Sequence, residues 1–263
     1  MKIQQYITLI FFLTGLLLFS RRADEAPASD LSLQRIATDP TASLMQLQVQ
    51  NIYSGDYHNL QDKNGNLILI RFLAPFSTWS QEHLARASLS VITKSPSGKN
   101  GLNDLVIFDL LAFRESWGRW GIGPAVQFPT ASDPKLGSEK WASGPVLGIE
   151  SRSGKLTWSI LSQSLFSFAG KEARKDIKNT VIQPILSYPL SESWSLGSSE
   201  MNFIYDWMKN DWTGLPVGIK LAKMVKYDKQ YLQFSGAYEY NFDIDHTGAV
   251  WTLNFTVKYY FNN

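Results

Sequence analysis

The sequence predicts an all-β fold, a transmembrane antiparallel up-and-down β-barrel of about 12 strands. Three observations indicate it: long alternating segments, connections sorted by length, and an unusual composition. Aromatic residues make up 13% of the 263 residues and charged residues 18%, whereas soluble domains carry about 25% charged residues. This balance favours a protein with a large apolar outer surface. A soluble β-sandwich or a lipocalin-like closed barrel is the alternative.

The first 23 residues are predicted to be a secretory signal peptide. Lys2 gives a positive start, and residues 7–19 form an apolar run that is short for a membrane-spanning helix but fits the hydrophobic part of a signal. A retained membrane anchor is the alternative. Because Arg21 and Arg22 stand where small residues are usual, we expect cleavage anywhere between residues 20 and 28. Since the chain has no cysteine, lipid acylation of a cysteine and disulfides are excluded.

Residues 24–43 show no alternation and are predicted to form a periplasmic segment ahead of the barrel. Asp30 is placed to cap a short helix that carries Leu31, Leu33 and Ile36. Two interpretations stay open: a short helix that covers or enters the periplasmic mouth, and an irregular leader before the first strand.

Residues 44–263 are predicted to form the barrel. Between Val250 and Phe261 an apolar set alternates with a largely polar set, which places one set on each face of a strand. The same period recurs along the chain in segments close to the roughly 9–11 residues that a tilted strand needs to cross the hydrocarbon layer. The predicted strands are 44–53, 66–75, 83–94, 102–113, 117–128, 141–150, 155–167, 180–190, 193–207, 215–226, 230–242 and 249–261.

The connections support the same topology. Those after odd-numbered strands are long and polar, and they are 54–65, 95–101, 129–140, 168–179, 208–214 and 243–248. Those after even-numbered strands are mostly shorter, and they are 76–82, 114–116, 151–154, 191–192 and 227–229. Bacterial barrels have short periplasmic turns and longer external loops. We therefore expect both chain ends in the periplasm.

Tryptophans are predicted to mark the two membrane interfaces, because an indole has an apolar body and an N–H that seeks water. Trp79, Trp117 and Trp194 fall near short turns, and a second group falls near long loops, namely Trp141, Trp207, Trp212 and Trp251. Prolines are expected to mark bulges or strand ends because each removes a ladder donor, and they are Pro124, Pro129, Pro145, Pro184 and Pro189.

The polar face of the predicted strands supplies the candidate functional residues. Charged side chains that face lipid cost a few kcal/mol at mid-bilayer, so they are expected in the lumen. The predicted lumen-lining residues are Gln127, Glu200, Asn202, Lys220, Gln233, Glu239, Asn254 and Lys258. These residues either pair with one another and fill the barrel, or select the solute that passes.

No catalytic site, metal site or cofactor is predicted. His58 and His246 fall in long loops and His83 falls near a turn, so all three are expected to be solvated. There is no G-x-S-x-G elbow, and Asp243 with Asp245 makes a poor calcium loop. The net charge of +2 gives no basis for nucleic-acid binding.

One stretch resembles a known family. It runs from Gly121-Ile122-Gly123-Pro124 through Phe128-Pro129-Thr130-Ala131-Ser132-Asp133 and Lys140-Trp141 to Gly144-Pro145. It resembles the outer-membrane transporters related to phenol-degradation MetA-type proteins, some of which are labelled "neuromedin U". The likeness extends over roughly residues 30–263, but Glu139 stands where that family more often has a small residue.

The resemblance implies an outer-membrane barrel that passes small, often hydrophobic compounds. It supplies no catalytic residues, and we expect a protein that is not an enzyme. The expected partners are outer-membrane lipid, an unidentified small solute, and the barrel-assembly machinery, for which Phe261 is the expected recognition residue. A filled binding barrel is the second hypothesis. A lipid-modifying barrel with His83 or His246 beside an acidic or hydroxyl group is the third.

Overall fold

The computed structural model describes residues 44–227 and 230–261, which form one antiparallel sheet. The predicted signal peptide and periplasmic segment lie outside these residues. The strands are β1 (Gln46–Tyr57), β2 (Gly65–Thr78), β3 (Gln81–Lys94), β4 (Gly101–Leu102), β5 (Leu105–Glu115), β6 (Gly118–Phe128), β7 (Lys140–Ser153), β8 (Leu156–Gly170), β9 (Lys178–Pro189), β10 (Trp194–Ser198), β11 (Phe203–Asp206), β12 (Asp211–Gly214), β13 (Pro216–Tyr227), β14 (Gln230–Asn241) and β15 (Ala249–Tyr260). Across the described part of the chain, no helix of membrane-spanning length and apolarity occurs.

The sheet closes on itself. β1 pairs with β2 on one side and with β15 on the other, and β10 pairs with both β9 and β13. The short β4 precedes β5, β10 and β11 are two halves of the ninth barrel strand, and β12 and β13 are two halves of the tenth. The predicted barrel of twelve antiparallel strands is therefore confirmed.

The outer surface is apolar. Outward positions carry exposed hydrophobic side chains on many strands, and they include Val49, Ile122, Leu147, Leu221, Leu253 and Phe255. Such a belt would be unfavourable in water, whereas hydrocarbon solvates it. Because adjacent residues of a strand point to opposite faces, the same strands present their polar residues to the interior.

The two ends of the barrel differ. One end, the turn end, carries Gln46, Tyr260 and short connections, among them a two-residue turn between β2 and β3. Trp79 and Ser80 form this turn with φ values of 48° and 68°, the positive values of a type I′ hairpin turn. The other end, the loop end, carries connections such as 58–64, 129–139 and 171–177.

The strand prolines interrupt hydrogen bonds without shifting the register. Pro124 and Pro145 face each other in the continuous pairing of β6 and β7, so the expected bulge at these two prolines is wrong. Pro129 follows the end of β6 and Pro189 ends β9, as the alternative of a strand end predicted. At Gly123, an added Cβ would overlap the carbonyl oxygen of Asp109, which shows how closely the β5 and β6 backbones approach.

Replacing Gly123 with Ala should destabilise the barrel, because the new methyl group can fit only if one of these backbones moves. We expect the free energy of unfolding to fall by about 1–3 kcal/mol. Urea unfolding of the refolded protein in micelles measures this change. Gly236→Ala is the matched control, since a Cβ there has no neighbour within 4 Å. Equal stability of the two variants would contradict the prediction.

Candidate functional site

The barrel interior has two unlike sectors. The apolar sector lies on β2 to β8 and consists of Leu73, Leu84, Phe108, Leu110, Ala125, Ala142, Val146, Leu161 and Leu165. The polar sector lies on β14, β15 and β1 and consists of buried Gln48, Gln50, Gln233, Ser235, Glu239, Asn241, Asn254 and Thr256. The pairing registers place both sets on the inner face, since directly opposed residues share a side. The lumen is therefore amphipathic in cross-section.

A bulge in the ninth barrel strand delivers a carboxylate to the lumen. Phe203 lies six positions after Gly197, whereas their partners on β9, Ile182 and Ser187, lie five positions apart. The strand thus carries one extra residue across 198–203, and residues 199–202 leave the ladder. Bulges of this kind re-aim side chains, and the side chain placed here is Glu200.

Glu200 links facing walls of the barrel. Its carboxylate forms an ion pair with Arg71 on β2 and accepts a hydrogen bond of 3.3 Å from Gln48 Nε2 on β1. The ninth strand and β2 lie five strands apart in the ring of twelve, so the contact spans the lumen. The Arg71 and Glu200 side chains keep 14% and 18% of their surface accessible. We call this bridge, together with Gln48, the lumen constriction.

Positive charge exceeds negative charge around the constriction. Arg86, Lys220 and Lys258 interact electrostatically with Glu200, yet none of the three has an ion-pair partner within 4 Å among residues 44–227 and 230–261. The Arg86 guanidinium lies 4.2 Å from the centre of the Phe108 ring. The Nε atoms of Arg71 and Arg86 are buried with no hydrogen-bond partner in the described structure.

Six of the eight residues predicted for the lumen belong to this central region. Gln233, Glu239 and Asn254 are buried, and Lys220 and Lys258 are half-buried on β13 and β15. The sixth is Glu200, and the role of all six in selecting a solute stays a prediction.

The other two predicted residues have structural contacts. Asn202 Nδ2 donates to the Glu200 carbonyl at 3.1 Å, and its Oδ1 accepts from Gln183 Nε2 at 2.5 Å, so it fixes the bulge. Gln127 lies near the loop end, where its Nε2 donates to Asp104 at 3.1 Å and to Ser138 at 2.9 Å.

Sequence reasoning missed Arg71, Arg86, Gln48 and Gln50. Arg71 stands in a segment with apolar residues on both faces, so the period of two is weak there. The hairpin turn at residues 79 and 80 could have indicated them. Counted along β2 and β3 from this turn, Arg71 and Arg86 both fall on inward-facing positions near the middle of the barrel wall.

A carboxylate organises the loop end. Asp104 accepts hydrogen bonds from Ala131 N, Ser138 N, Ser138 Oγ and Gln127 Nε2. Nearby, Lys140 Nζ lies 3.1 Å from Asp176, and this contact, with a hydrogen bond from Ser167, holds the pKa of Asp176 below its usual range. The hydrogen bonds to Asp104 thus fix loop 129–139 at the loop end of the barrel.

Two histidines lie beside carboxylates. His83 Nδ1 is 2.8 Å from Asp109 on the outer face, and His246 Nδ1 is 3.1 Å from Asp243 at the loop end. His58 Nε2 contacts the carbonyl of Asn241. These contacts correct the expectation that all three are simply solvated. Both imidazoles thus lie beside an acidic group, as the third hypothesis requires, and among the described residues neither forms a hydrogen bond with a hydroxyl group.

Comparison with known proteins supports the fold. No protein-family model and no curated protein matches the chain. The chain is similar to a COG4313 outer membrane channel from Pseudomonas putida F1, with 12% identity, a TM-score of 0.62, and coverage of 90% of this chain and 100% of that chain. It also matches outer membrane phospholipase A from Escherichia coli at 11% identity and a TM-score of 0.45, with 87% and 97% coverage.

A further match is the deltaS2S3 mutant of TodX, a monoaromatic hydrocarbon channel, at 10% identity and a TM-score of 0.36, with 87% and 94% coverage. Of these three matches, the COG4313 channel has a TM-score high enough to support a shared fold. The fold is that of an outer-membrane β-barrel, in its twelve-stranded form. Of what the resemblance to MetA-type transporters implies, the outer-membrane barrel fold is therefore supported.

The Arg71–Glu200 bridge should show energetic coupling. For Arg71→Met, Glu200→Met and the double variant, we expect a coupling energy of about 0.5–3 kcal/mol, toward the lower part because solvent still reaches both groups. Urea unfolding of the four proteins in micelles gives this value. Arg114 and Glu82, 2.9 Å apart and 51% and 38% exposed, form the control pair. Coupling no larger than in that pair would contradict the assignment.

Removing the Asp104 carboxylate should release loop 129–139. Each of its four hydrogen bonds contributes about 0.5–1.5 kcal/mol, so Asp104→Ala should speed tryptic cleavage after the exposed Lys135 by about tenfold or more. Mass spectrometry of timed digests measures the rate. Asp245→Ala, which changes another carboxylate at the loop end, is the control. An unchanged cleavage rate in Asp104→Ala would show that the loop is held by other contacts.

Proposed function

We propose that this protein is a passive outer-membrane channel for small molecules that works without a cofactor and without covalent chemistry. The observation that carries the proposal is the unpaired positive charge in the middle of the lumen. Lys220, Lys258 and Arg86 have no ion-pair partner among the described residues, although all three lie inside the barrel wall.

Charged side chains without ion-pair partners inside the barrel distinguish a channel from a filled barrel. A filled interior excludes water, and a buried charge without a partner then costs several kcal/mol. A hydrated lumen removes this cost, because water solvates the ammonium and guanidinium groups. The filled binding barrel, our second hypothesis, requires Lys220 and Lys258 to pair with Glu200 and Glu239. The contacts among the described residues favour the hydrated lumen.

The exterior supports a location in the outer membrane. The apolar belt matches lipid as the surrounding solvent, and tryptophans lie at both ends of the wall. We propose export through the predicted signal peptide and insertion by the barrel-assembly machinery, with the loop end outside the cell and the turn end in the periplasm. Outer-membrane lipid is then the partner of the whole outer face.

The constriction provides a gate that side chains can open. Arg71, Gln48 and Glu200 cross the lumen through side-chain atoms, so rotamer changes suffice to separate them and no strand has to move. A solute passes when it replaces these contacts. Half-buried apolar residues on the inner face offer a surface for hydrophobic solutes on the same path, in keeping with the compounds that the family resemblance implies, and they are Ile52, Leu67, Leu69 and Ile92.

Shortening the gate should raise the conductance. In planar bilayers, Glu200→Ala should give a single-channel conductance well above that of the natural protein, because the side chain that crosses the lumen is gone. Glu172→Ala, which removes an exposed loop carboxylate, is the matched control and should leave the conductance unchanged. A folded, heat-modifiable barrel that gives neither current nor solute uptake into liposomes would overturn the proposed function.

A further inference from the structure

We infer that the lumen constriction is a binding site for the carboxylate of an amphiphilic monocarboxylate whose apolar body lies on the loop side of Arg71. This inference deepens the proposed function, since it names the class of solute that the channel prefers. It follows from the charge balance at the constriction, from the way Glu200 is held, and from the apolar residues beside Arg71.

The charge balance calls for an anion. Four cations line the region, namely Arg71, Arg86, Lys220 and Lys258, against the two carboxylates of Glu200 and Glu239. Two guanidinium N–H groups, at Nε of Arg71 and Arg86, are buried without an acceptor. A guanidinium donates in a planar fork that fits a carboxylate. One anionic group would offset half of the excess charge and accept these free donors.

Glu200 shows that the site accommodates a carboxylate. Its side chain is presented by the bulge at residues 199–202 and is held by Arg71 and Gln48. Gln48 is itself positioned by a hydrogen bond of 3.0 Å to Gln50. A solute carboxylate that enters the lumen meets the same donors and competes with Glu200 for Arg71, while Arg86 remains available beside it.

The apolar body has a matching surface, which we call the apolar vestibule. It consists of Ile52, Leu67, Leu69 and Ile92, which share the inner face in register and are half-buried. Leu69 and Leu67 stand two and four residues from Arg71 toward the loop end, about 7 and 13 Å along β2. A carboxylate at Arg71 therefore places a short hydrocarbon chain against these side chains.

The direct test compares three probes of similar shape and different charge: hexanoate, hexanamide and hexylammonium. Isothermal titration of the purified, folded barrel in non-ionic micelles should show the tightest binding for hexanoate. Butyrate should bind roughly tenfold more weakly than hexanoate, the loss expected when two methylene groups are no longer buried. Equal affinities for hexanoate and hexanamide would overturn the inference, as would an affinity independent of chain length.

Variants locate the site. Arg86→Met should weaken hexanoate binding by about tenfold, the loss of one charge-assisted hydrogen bond. Glu200→Gln should strengthen it, because the internal competitor no longer holds Arg71. Lys209→Met, at an exposed loop position, should have no effect. If Arg86→Met does not give a heat-modifiable barrel, Glu200→Gln decides: unchanged or weaker hexanoate binding in that variant contradicts the inference.

Bilayer recordings separate this inference from the channel proposal. Hexanoate binding without any current would overturn the channel and leave the carboxylate site in place. A current in salt gradients that favours cations, together with equal binding of the three probes, would leave the channel and overturn the carboxylate site. Anion-selective current that hexanoate blocks and hexanamide does not block supports both.

Discussion

Closure of the backbone hydrogen-bond ladder is the constraint on which this structure depends. In hydrocarbon each unpaired N–H or C=O group costs several kcal/mol, so a sheet survives there only without edges. The pairing of β1 with β15 is long and regular, from Gln46 with Tyr260 to Tyr57 with Ala249. The ninth strand, by contrast, is divided. β10 joins β9 to β13 near the turn end, and β11 joins β9 to β12 near the loop end.

The division of the ninth strand places the candidate site. Residues 199–202 lie outside the strand pairing, which β10 and β11 continue on either side of them. Even there, Ser199 N donates a hydrogen bond to Gly218 O at 3.1 Å. The interruption is thus confined to residues 199–202 between two paired segments. Glu200 lies among these residues, and its pairing with Arg71 is weak support for stability, since a buried ion pair often contributes little net. A functional account fits it better.

The sequence predicted the barrel well because membrane strands obey two simple rules. The period of two survives wherever lipid and lumen demand opposite polarity, as in β15, and loop length alternates because the two ends of a bacterial barrel face different compartments. The constriction was harder to predict. A one-residue bulge leaves no mark on composition, and Arg71 lies among apolar residues of both faces, with Leu69 and Leu73 on the inner face and Ile70 on the outer face. The contact between Arg71 and Glu200 depends on the curvature of the closed wall, which alternation does not encode.

Gln127 illustrates a different limit. Its inward orientation follows from alternation, but its hydrogen bonds depend on loop 129–139 folding back onto Asp104. Prolines show a similar limit. Pro124 and Pro145 lie opposite each other in continuous pairing, and the interruptions fall in the flanking ladders, those of β5 with β6 and of β7 with β8. The inward orientation of Gln127 could therefore be predicted from the strand pattern, whereas its hydrogen-bond partners and the undisturbed register at the prolines could not.

The amphipathic cross-section of the lumen has a consequence for how molecules travel. A wall of leucine, phenylalanine and valine repels an ion by its low polarisability, while the glutamine, serine and asparagine wall opposite solvates it. The most favourable position for a charged group therefore lies along the polar wall, and that for a hydrocarbon group lies along the apolar wall. In the proposed channel, a molecule with both kinds of group would lie with its long axis across the lumen or staggered between the two walls, so its orientation would be set before it reaches the Arg71–Glu200 bridge.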